Sequence, residues 1–153
     1  MGMPEVLVAV LLLGFFFPCI FEVNSICLRF IDAAKQSMAA LDSVHDRCES
    51  LRNFNFTDLT DVSSVRSLVT APANGSDFCK IATEVVKLSA YPTPNGVTQF
   101  TRKPDGTVTN DSVATDLGTT LVQVDVTTSW NMAFGGRPRS EEAITIISNG
   151  SKK

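Results

Sequence analysis

Residues 3–21 of the chain read MPEVLVAVLLLGFFFPCIF, an apolar run in which Glu5 is the only charged side chain. A helix that crosses a bilayer core of ~30 Å needs about 20 predominantly apolar residues, so this run is long enough to span a membrane. The C-terminal part of the chain is instead rich in Thr, Ser, Asn and Asp. The sequence therefore predicts a hydrophobic anchor joined to a soluble head.

A cleaved secretory signal is the alternative interpretation of this run. Such a signal has a basic start, a short apolar core and small residues at its cleavage site. Here Glu5 stands where Lys or Arg is expected, and residues 22–26, EVNSI, make a poor cleavage sequence. These flanks favour an uncleaved anchor that spans the membrane over about residues 4–22.

The length and charge of the chain exclude some classes of protein. At 153 residues there is room for one head domain and an anchor. The chain has 13 Lys and Arg against 16 Asp and Glu, a net charge of -3, and no run of basic residues longer than two, the last being Lys152–Lys153. We therefore expect no nucleic-acid partner.

The region between Arg29 and Phe54 contains no Gly and no Pro. Its apolar and small residues recur in steps of three and four, which predicts one buried face of an amphipathic helix; these residues are Phe30, Ala34, Met38, Leu41, Val44, Cys48 and Leu51. Because no break signal separates this region from the anchor, we predict a single long helix through residue 54. Gly14 and Pro18 are its helix-loosening positions, since proline removes a backbone hydrogen bond.

After residue 77 the apolar period changes to two, which is typical of strands. We predict strands over 78–90, 97–102, 107–109, 121–130 and 143–148, the second and third forming a hairpin and the last two pairing antiparallel. The 121–130 strand alternates most cleanly, and its expected core face is Val122, Val124, Val126, Thr128 and Trp130.

These elements predict an α+β fold in which the second half of the long helix covers one face of a small antiparallel sheet. The domain organisation is an anchor and spine helix over 1–54, a connecting segment over 55–77 with a short helical turn near 62–68, and an antiparallel β head over 78–153.

No catalytic constellation is evident. His45 is the only histidine, and a surface position on the helix is favoured over a metal or catalytic role. No serine lies in a Gly-x-Ser-x-Gly motif. We expect a non-enzymatic protein that needs no cofactor or metal.

The four cysteines fall into two pairs. Cys19 and Cys27 lie eight residues apart on one helix, about 12 Å along its axis, which is too far for a disulfide. Cys48 and Cys79 lie in the head, where they either form a disulfide in an oxidising compartment or remain small buried thiols.

Residues 3–14, MPEVLVAVLLLG, followed by Pro18 and the amphipathic continuation, resemble the N-terminus of type IV pilins and type II secretion pseudopilins. The 121–130 strand, with Gly135–Arg139 and Thr145–Ser148 after it, is similar to the last hairpin of minor pilins. The resemblance implies a structural subunit, a minor pilin, of a type IV pilus-like or secretion pseudopilus filament. Such a subunit is a single-pass protein of the bacterial inner membrane with its head in the periplasm before assembly. The alternative is a secreted or signal-anchored β-rich binding module with no filament role.

In that family a prepilin peptidase cuts a basic leader after a glycine, the next residue is N-methylated, and a glutamate lies fifth in the mature chain. Here Met1 and Gly2 precede Met3, so a cut between Gly2 and Met3 would leave Glu5 third, whereas counting from Met1 places it fifth. The resemblance implies that Glu5 pairs with the N-terminal amine of a neighbouring subunit. It also implies as partners other pilin or pseudopilin subunits, the peptidase and an ATP-driven assembly machine.

Overall fold

The computed structural model describes residues 2–132 and 135–150. Over these residues the chain forms the helices α1 (Met3–Arg52), α2 (Phe56–Thr60) and α3 (Val62–Thr70), a short 3-10 helix (Asp77–Lys80), and the strands β1 (Thr83–Ala90), β2 (Val97–Arg102), β3 (Val108–Ser112), β4 (Leu121–Asn131) and β5 (Pro138–Ser148). The predicted α+β class, a long N-terminal helix packed on a small antiparallel sheet, is confirmed.

The chain divides into two compact units between Lys35 and Gln36. In the first unit, every described residue from Gly2 to Asn24 is exposed. Helix α1 is long and apolar enough to cross a membrane, as the sequence predicts. Gly14 and Pro18 both lie inside this helix, and the helix is continuous across both positions.

The second unit contains one sheet in the order β3-β2-β1-β4-β5, with every neighbouring pair antiparallel. The predicted hairpin of β2 and β3 and the predicted pairing of β4 with β5 are both confirmed. In β4 the inner face is the predicted one, since Val122, Val124, Val126, Thr128 and Trp130 are all buried.

Some predicted element boundaries are wrong. Residues 78–82 are not strand: Asp77–Lys80 form a 3-10 turn, and β1 begins only at Thr83. Strand β5 begins at Pro138, five residues before the predicted start at 143. The predicted helical turn at 62–68 is the nine-residue helix α3. The polar start of β5 was missed because its strand character comes from pairing with β4 and not from its own residues.

The buried face of α1 in the second unit differs from the predicted one. Val44, Cys48 and Leu51 are buried as predicted, but Met38 and Leu41 are 68% and 57% exposed. The residues that complete the buried face are Ala40, Ser43 and Arg47. The face is rotated towards small and charged residues because Arg47 has a buried partner on the sheet, which apolar periodicity does not reveal.

The main core lies between the sheet and the three helices. Leu51 of α1, Leu59 of α2 and Val65 of α3 contact the inner face of the sheet, where Phe100 and Val124 are fully buried. A second apolar cluster joins Ala40 to Phe78, Ala82 and Trp130. These two clusters fix the C-terminal part of α1 to the head.

Candidate assembly site on the first helix

Glu5 lies in the first turn of α1, at the end where backbone amides have no partner within the helix. Its Oε2 accepts a hydrogen bond from the Gly2 amide at 3.0 Å, and its own amide donates to the Gly2 carbonyl at 3.0 Å. A carboxylate here also interacts favourably with the positive end of the helix dipole. The local geometry is therefore one half of a capping box.

The two residues of the expected cleavage point frame this turn. Gly2 provides both backbone contacts to Glu5, and Met3 is the first residue of the helix. The side chain of Met3 is exposed, as is that of Glu5. Glu5 is thus anchored through one carboxylate oxygen, Oε2, while its side chain remains open to a further positive group.

The surface beside Glu5 is wholly apolar. Pro4, Val8, Ala9 and Leu12 form a shallow groove along one side of the helix with Glu5 at its head. A contiguous apolar surface of this length on a soluble protein marks a membrane or protein contact. A negative charge at the end of such a surface favours a partner that brings an apolar helix and a positive group together.

The candidate disulfide residues, Cys48 and Cys79, are free and buried in this structure. Burial, aided by the neighbouring negative charge of Glu49, raises the pKa of the Cys48 thiol. Cys79 lies among polar groups: its Sγ donates to Asn74 Oδ1 at 3.3 Å and lies 3.6 Å from Ser43 Oγ. Each thiol therefore fills a place in the packing of the head.

A charged pair inside the head was missed by the sequence analysis. Arg47 is 1% exposed, and its Nε and Nη2 donate to Glu84 Oε1 and Oε2 at 2.7 and 2.9 Å. Its Nη1 donates to the Leu68 carbonyl at 2.9 Å and its Nη2 to the Ala71 carbonyl at 2.7 Å. One guanidinium thus joins α1, the end of α3 and β1.

The sequence contains a signal for this pair. Arg47 falls between Val44 and Leu51 on the apolar side of α1, and Glu84 takes an inward position in the alternation of β1. A charge of opposite sign on each of two faces that must pack together predicts an ion pair, because a lone buried charge is strongly unfavourable.

His45 is exposed, as predicted. Among the described residues, no three His, Cys, Asp or Glu side chains come together as a metal ion would require.

Comparison with protein-family models, with curated proteins and with solved structures finds no match to this chain.

Proposed function

We propose that the chain is a membrane-anchored filament subunit of the pilin type, without enzymatic activity. The observation that carries the proposal is the exposed carboxylate of Glu5 at the head of an apolar surface whose described residues, from Val6 to Phe21, are all exposed. The same helix continues into the head, where Val44 and Leu51 are buried. One helix thus carries both an uncovered apolar segment and the packing face of a folded head.

The energetics of Glu5 support a partner. A carboxylate inside a bilayer costs about 2.5 kcal/mol or more at the centre and less near the interface. When the apolar helices of several subunits bundle, water and lipid headgroups are excluded and the carboxylate needs a positive neighbour. The N-terminal amine of an adjacent copy is such a group, and one pairing per subunit sets the register of the bundle.

The proposed location and assembly route are those that the resemblance to pilins implies. Before assembly the subunit is held in the bacterial inner membrane by one helix, with its head in the periplasm. A prepilin peptidase processes its N-terminus and an ATP-driven machine adds it to a filament of other pilin or pseudopilin subunits. Either a type IV pilus, with this chain as a minor pilin, or a type II secretion pseudopilus fits these residues.

The test replaces Glu5 in cells that contain the assembly machinery. We expect Glu5→Ala to abolish recovery of the chain in sheared filaments while it still fractionates with the membrane. The matched control is Glu22→Ala, which removes the acid at the other end of the apolar run and should leave incorporation unchanged. Normal incorporation of Glu5→Ala would rule out the pairing role.

A second variant separates ion pairing from helix capping. Glu5→Gln keeps an oxygen that can accept the Gly2 hydrogen bond but carries no charge. If Glu5 pairs with an amine, Glu5→Gln fails to assemble as Glu5→Ala does. If Glu5 acts only as a cap, Glu5→Gln assembles normally, and the pairing mechanism is wrong.

The second candidate function is a signal-anchored or secreted binding module. It is favoured by the Glu5–Gly2 hydrogen bond, because that contact satisfies the carboxylate within its own chain. N-terminal sequencing of the mature protein identifies the secreted form, and recovery of the chain in sheared filaments separates the filament subunit from the signal-anchored form. A mature chain that starts after Asn24 or Ser25 has lost the apolar helix and supports the secreted binding module. Retention of residues 3–21 together with recovery in sheared filaments supports the filament subunit, and retention without recovery supports the signal-anchored module.

A further inference from the structure

Within the described part of the chain, strand β5 forms one edge of the sheet, and its eleven residues pair only with β4. We propose that this edge pairs antiparallel with β5 of a second copy of the chain, so that two heads share a continuous sheet. The proposal concerns the head alone and holds for either candidate function.

The ladder between β4 and β5 shows which backbone groups are free. The Asn149 amide donates to the Thr120 carbonyl at 2.8 Å, and the Met132 amide donates to the Arg137 carbonyl at 3.0 Å, at the two ends of a ladder with no register shift. Hydrogen-bonded and non-hydrogen-bonded pairs alternate in an antiparallel ladder. The odd-numbered residues of β5 therefore face β4, and the even-numbered residues direct their amides and carbonyls away from it.

The free backbone groups lie beside exposed apolar side chains. Ile144 and Ile146 both belong to the even-numbered set and are 57% and 47% exposed. The stretch 143–148, AITIIS, contains no charge, no Pro and no Gly. Exposed edge strands of this length and composition pair with another strand unless charges or bulges prevent it. Here the charges stand only at the start of the strand, at Arg139, Glu141 and Glu142.

The opposite edge of the sheet is protected. Strand β3 has five residues, and its pairing with β2 is interrupted by a register shift at Gln99 and Phe100. Asp111 stands on this edge and accepts hydrogen bonds from the side chains of Gln99, Thr101 and Thr109. A short, irregular and acidic edge is the usual protection against pairing, which leaves β5 as the edge open to a partner.

A second copy of β5 is the occupant that the residue pattern fits. When two β5 strands pair antiparallel about a two-fold axis at Thr145, Ile144 of each copy lies opposite Ile146 of the other. In this register Glu142 lies opposite Ser148, and Glu141 lies opposite Asn149. Registers centred on Glu141 or Glu142 would place like charges directly opposite one another, which is destabilising. These two registers are therefore disfavoured, and the register centred on Thr145 both avoids like charges and joins the isoleucines of the two copies.

The geometry gives a direct test by cross-linking. The backbone amide and carbonyl of Thr145 point towards β4 and not towards the partner strand. The two Thr145 residues at the axis therefore form a non-hydrogen-bonded pair with a Cα separation of about 4.5 Å. This separation lies within the range that a disulfide spans. The experiment uses the full chain in detergent micelles, with the exposed Cys19 and Cys27 replaced by serine, and compares this parent with the same chain carrying Thr145→Cys.

We expect Thr145→Cys to form a disulfide-linked dimer on mild oxidation, seen on a non-reducing gel, and the parent to form none. Adding Ile144→Lys should reduce the dimer to the level of the parent. The matched control is Val113→Lys, at a residue 59% exposed outside the strands, which should leave the dimer yield unchanged. A second control is Thr109→Cys on the β3 edge, whose yield of disulfide-linked dimer measures chance collisions between two chains within one micelle.

Three results would overturn the proposal: no dimer from Thr145→Cys above the parent, an equal yield from Thr109→Cys, or a yield that Ile144→Lys does not reduce. Because a substitution can disturb the strand itself, hydrogen exchange of the unsubstituted chain gives a second measurement. The amides of Ile144 and Ile146 should exchange more slowly as the protein concentration rises, and exchange independent of concentration contradicts the pairing. Glu5→Ala should leave the disulfide-linked dimer intact. A negative result in the cross-linking test therefore does not bear on the filament role, and a negative result in the filament test does not bear on the pairing of β5.

Discussion

Arg47 and Glu84 form a two-pronged ion pair inside the head, with Nε 2.7 Å from Oε1 and Nη2 2.9 Å from Oε2. The pair fixes α1 at one position over β1, because a fork of two parallel hydrogen bonds has a narrow range of geometries. The same guanidinium also donates hydrogen bonds to the backbone carbonyls of Leu68 and Ala71 at the end of α3. One side chain therefore sets the relative placement of three elements of the head.

Removing one partner of this pair should destabilise the head strongly. Glu84→Ala leaves the Arg47 guanidinium buried without its counter-charge, and we expect a loss of about 3–5 kcal/mol in the free energy of unfolding. Denaturant unfolding of the full chain in detergent, followed by Trp130 fluorescence, measures it. The matched control is Glu49→Ala, which breaks the exposed pair of Glu49 and Arg52 and should cost about 1 kcal/mol or less. Equal losses in the two variants would contradict the role of the buried pair.

Replacing both partners should be far milder than removing one. Arg47→Met together with Glu84→Met fills the space with apolar side chains and leaves no buried charge, so most of the stability lost in Glu84→Ala should return. The carbonyls of Leu68 and Ala71 lose a donor in this variant, so recovery is incomplete. A double variant as unstable as Glu84→Ala would show that the guanidinium contacts to α3 dominate.

The start of α3 should make stability depend on pH. Asp61 accepts hydrogen bonds from the hydroxyl and amide of Ser63 and of Ser64, and these bonds lower the pKa of its carboxyl from 3.8 to about 2. Because the folded pKa lies below the unfolded one, the contribution is complete above pH 3.8 and is lost as the pH falls towards 2. Asp61→Asn, which caps without titrating, should show a smaller loss of unfolding midpoint between pH 5 and pH 2.5.

The control for the pH experiment is Thr57→Asn at an exposed position of the neighbouring helix α2, which adds and removes no titrating group and should keep the full pH dependence of the parent. Other carboxyls with lowered pKa values, among them Asp77 and Asp111, are present in both the parent and Asp61→Asn. The difference between the pH dependences of the two unfolding midpoints therefore reports on Asp61. Identical pH profiles for the parent and Asp61→Asn would contradict the assignment.

The cysteines of the head give a prediction about chemical reactivity. Cys48 and Cys79 are buried free thiols, and burial raises the pKa of Cys48, so its reactive thiolate is scarce. In the folded chain, alkylation should label neither residue, and unfolding should expose both. Because Cys19 and Cys27 are exposed and also react, the labels are located on peptides of the non-reduced protein by mass spectrometry. Labels that appear at Cys48 and Cys79 only after unfolding indicate free thiols, and a linked peptide pair lighter by two hydrogens with no label at either site indicates a Cys48–Cys79 disulfide.

The contact between Phe78 and Trp130 should hold the second apolar cluster together. The two rings lie edge to face with centroids 5.2 Å apart, and both side chains are buried. Phe78→Ala removes one ring of this contact and leaves a cavity, at a cost of about 3–5 kcal/mol. Water then reaches the indole, so the emission of Trp130 should shift to longer wavelength. An unchanged spectrum would contradict this packing.

The sequence predicted best where one physical requirement dominates. The inner face of β4 follows from strict alternation at Val122, Val124 and Val126, because a strand with one buried face needs a period of two. The buried side of α1 was predicted less well, since Leu41 is exposed while Arg47 is buried. Apolar periodicity ranks residues by hydrophobicity, and it cannot recognise a charge whose partner is supplied by a distant strand.

Residue order along the chain is enough to predict an apolar helix over residues 3–21 with a single acid, and an antiparallel sheet after it. Both depend on local pattern, which fixes secondary structure and membrane-spanning length. The folded chain was needed to show that Arg47 pairs with Glu84, that β5 lies at the edge of the sheet, and that the outward backbone groups of β5 belong to Ile144 and Ile146. Those relationships join residues far apart in the chain, and they follow from strand order and register, which local pattern does not specify.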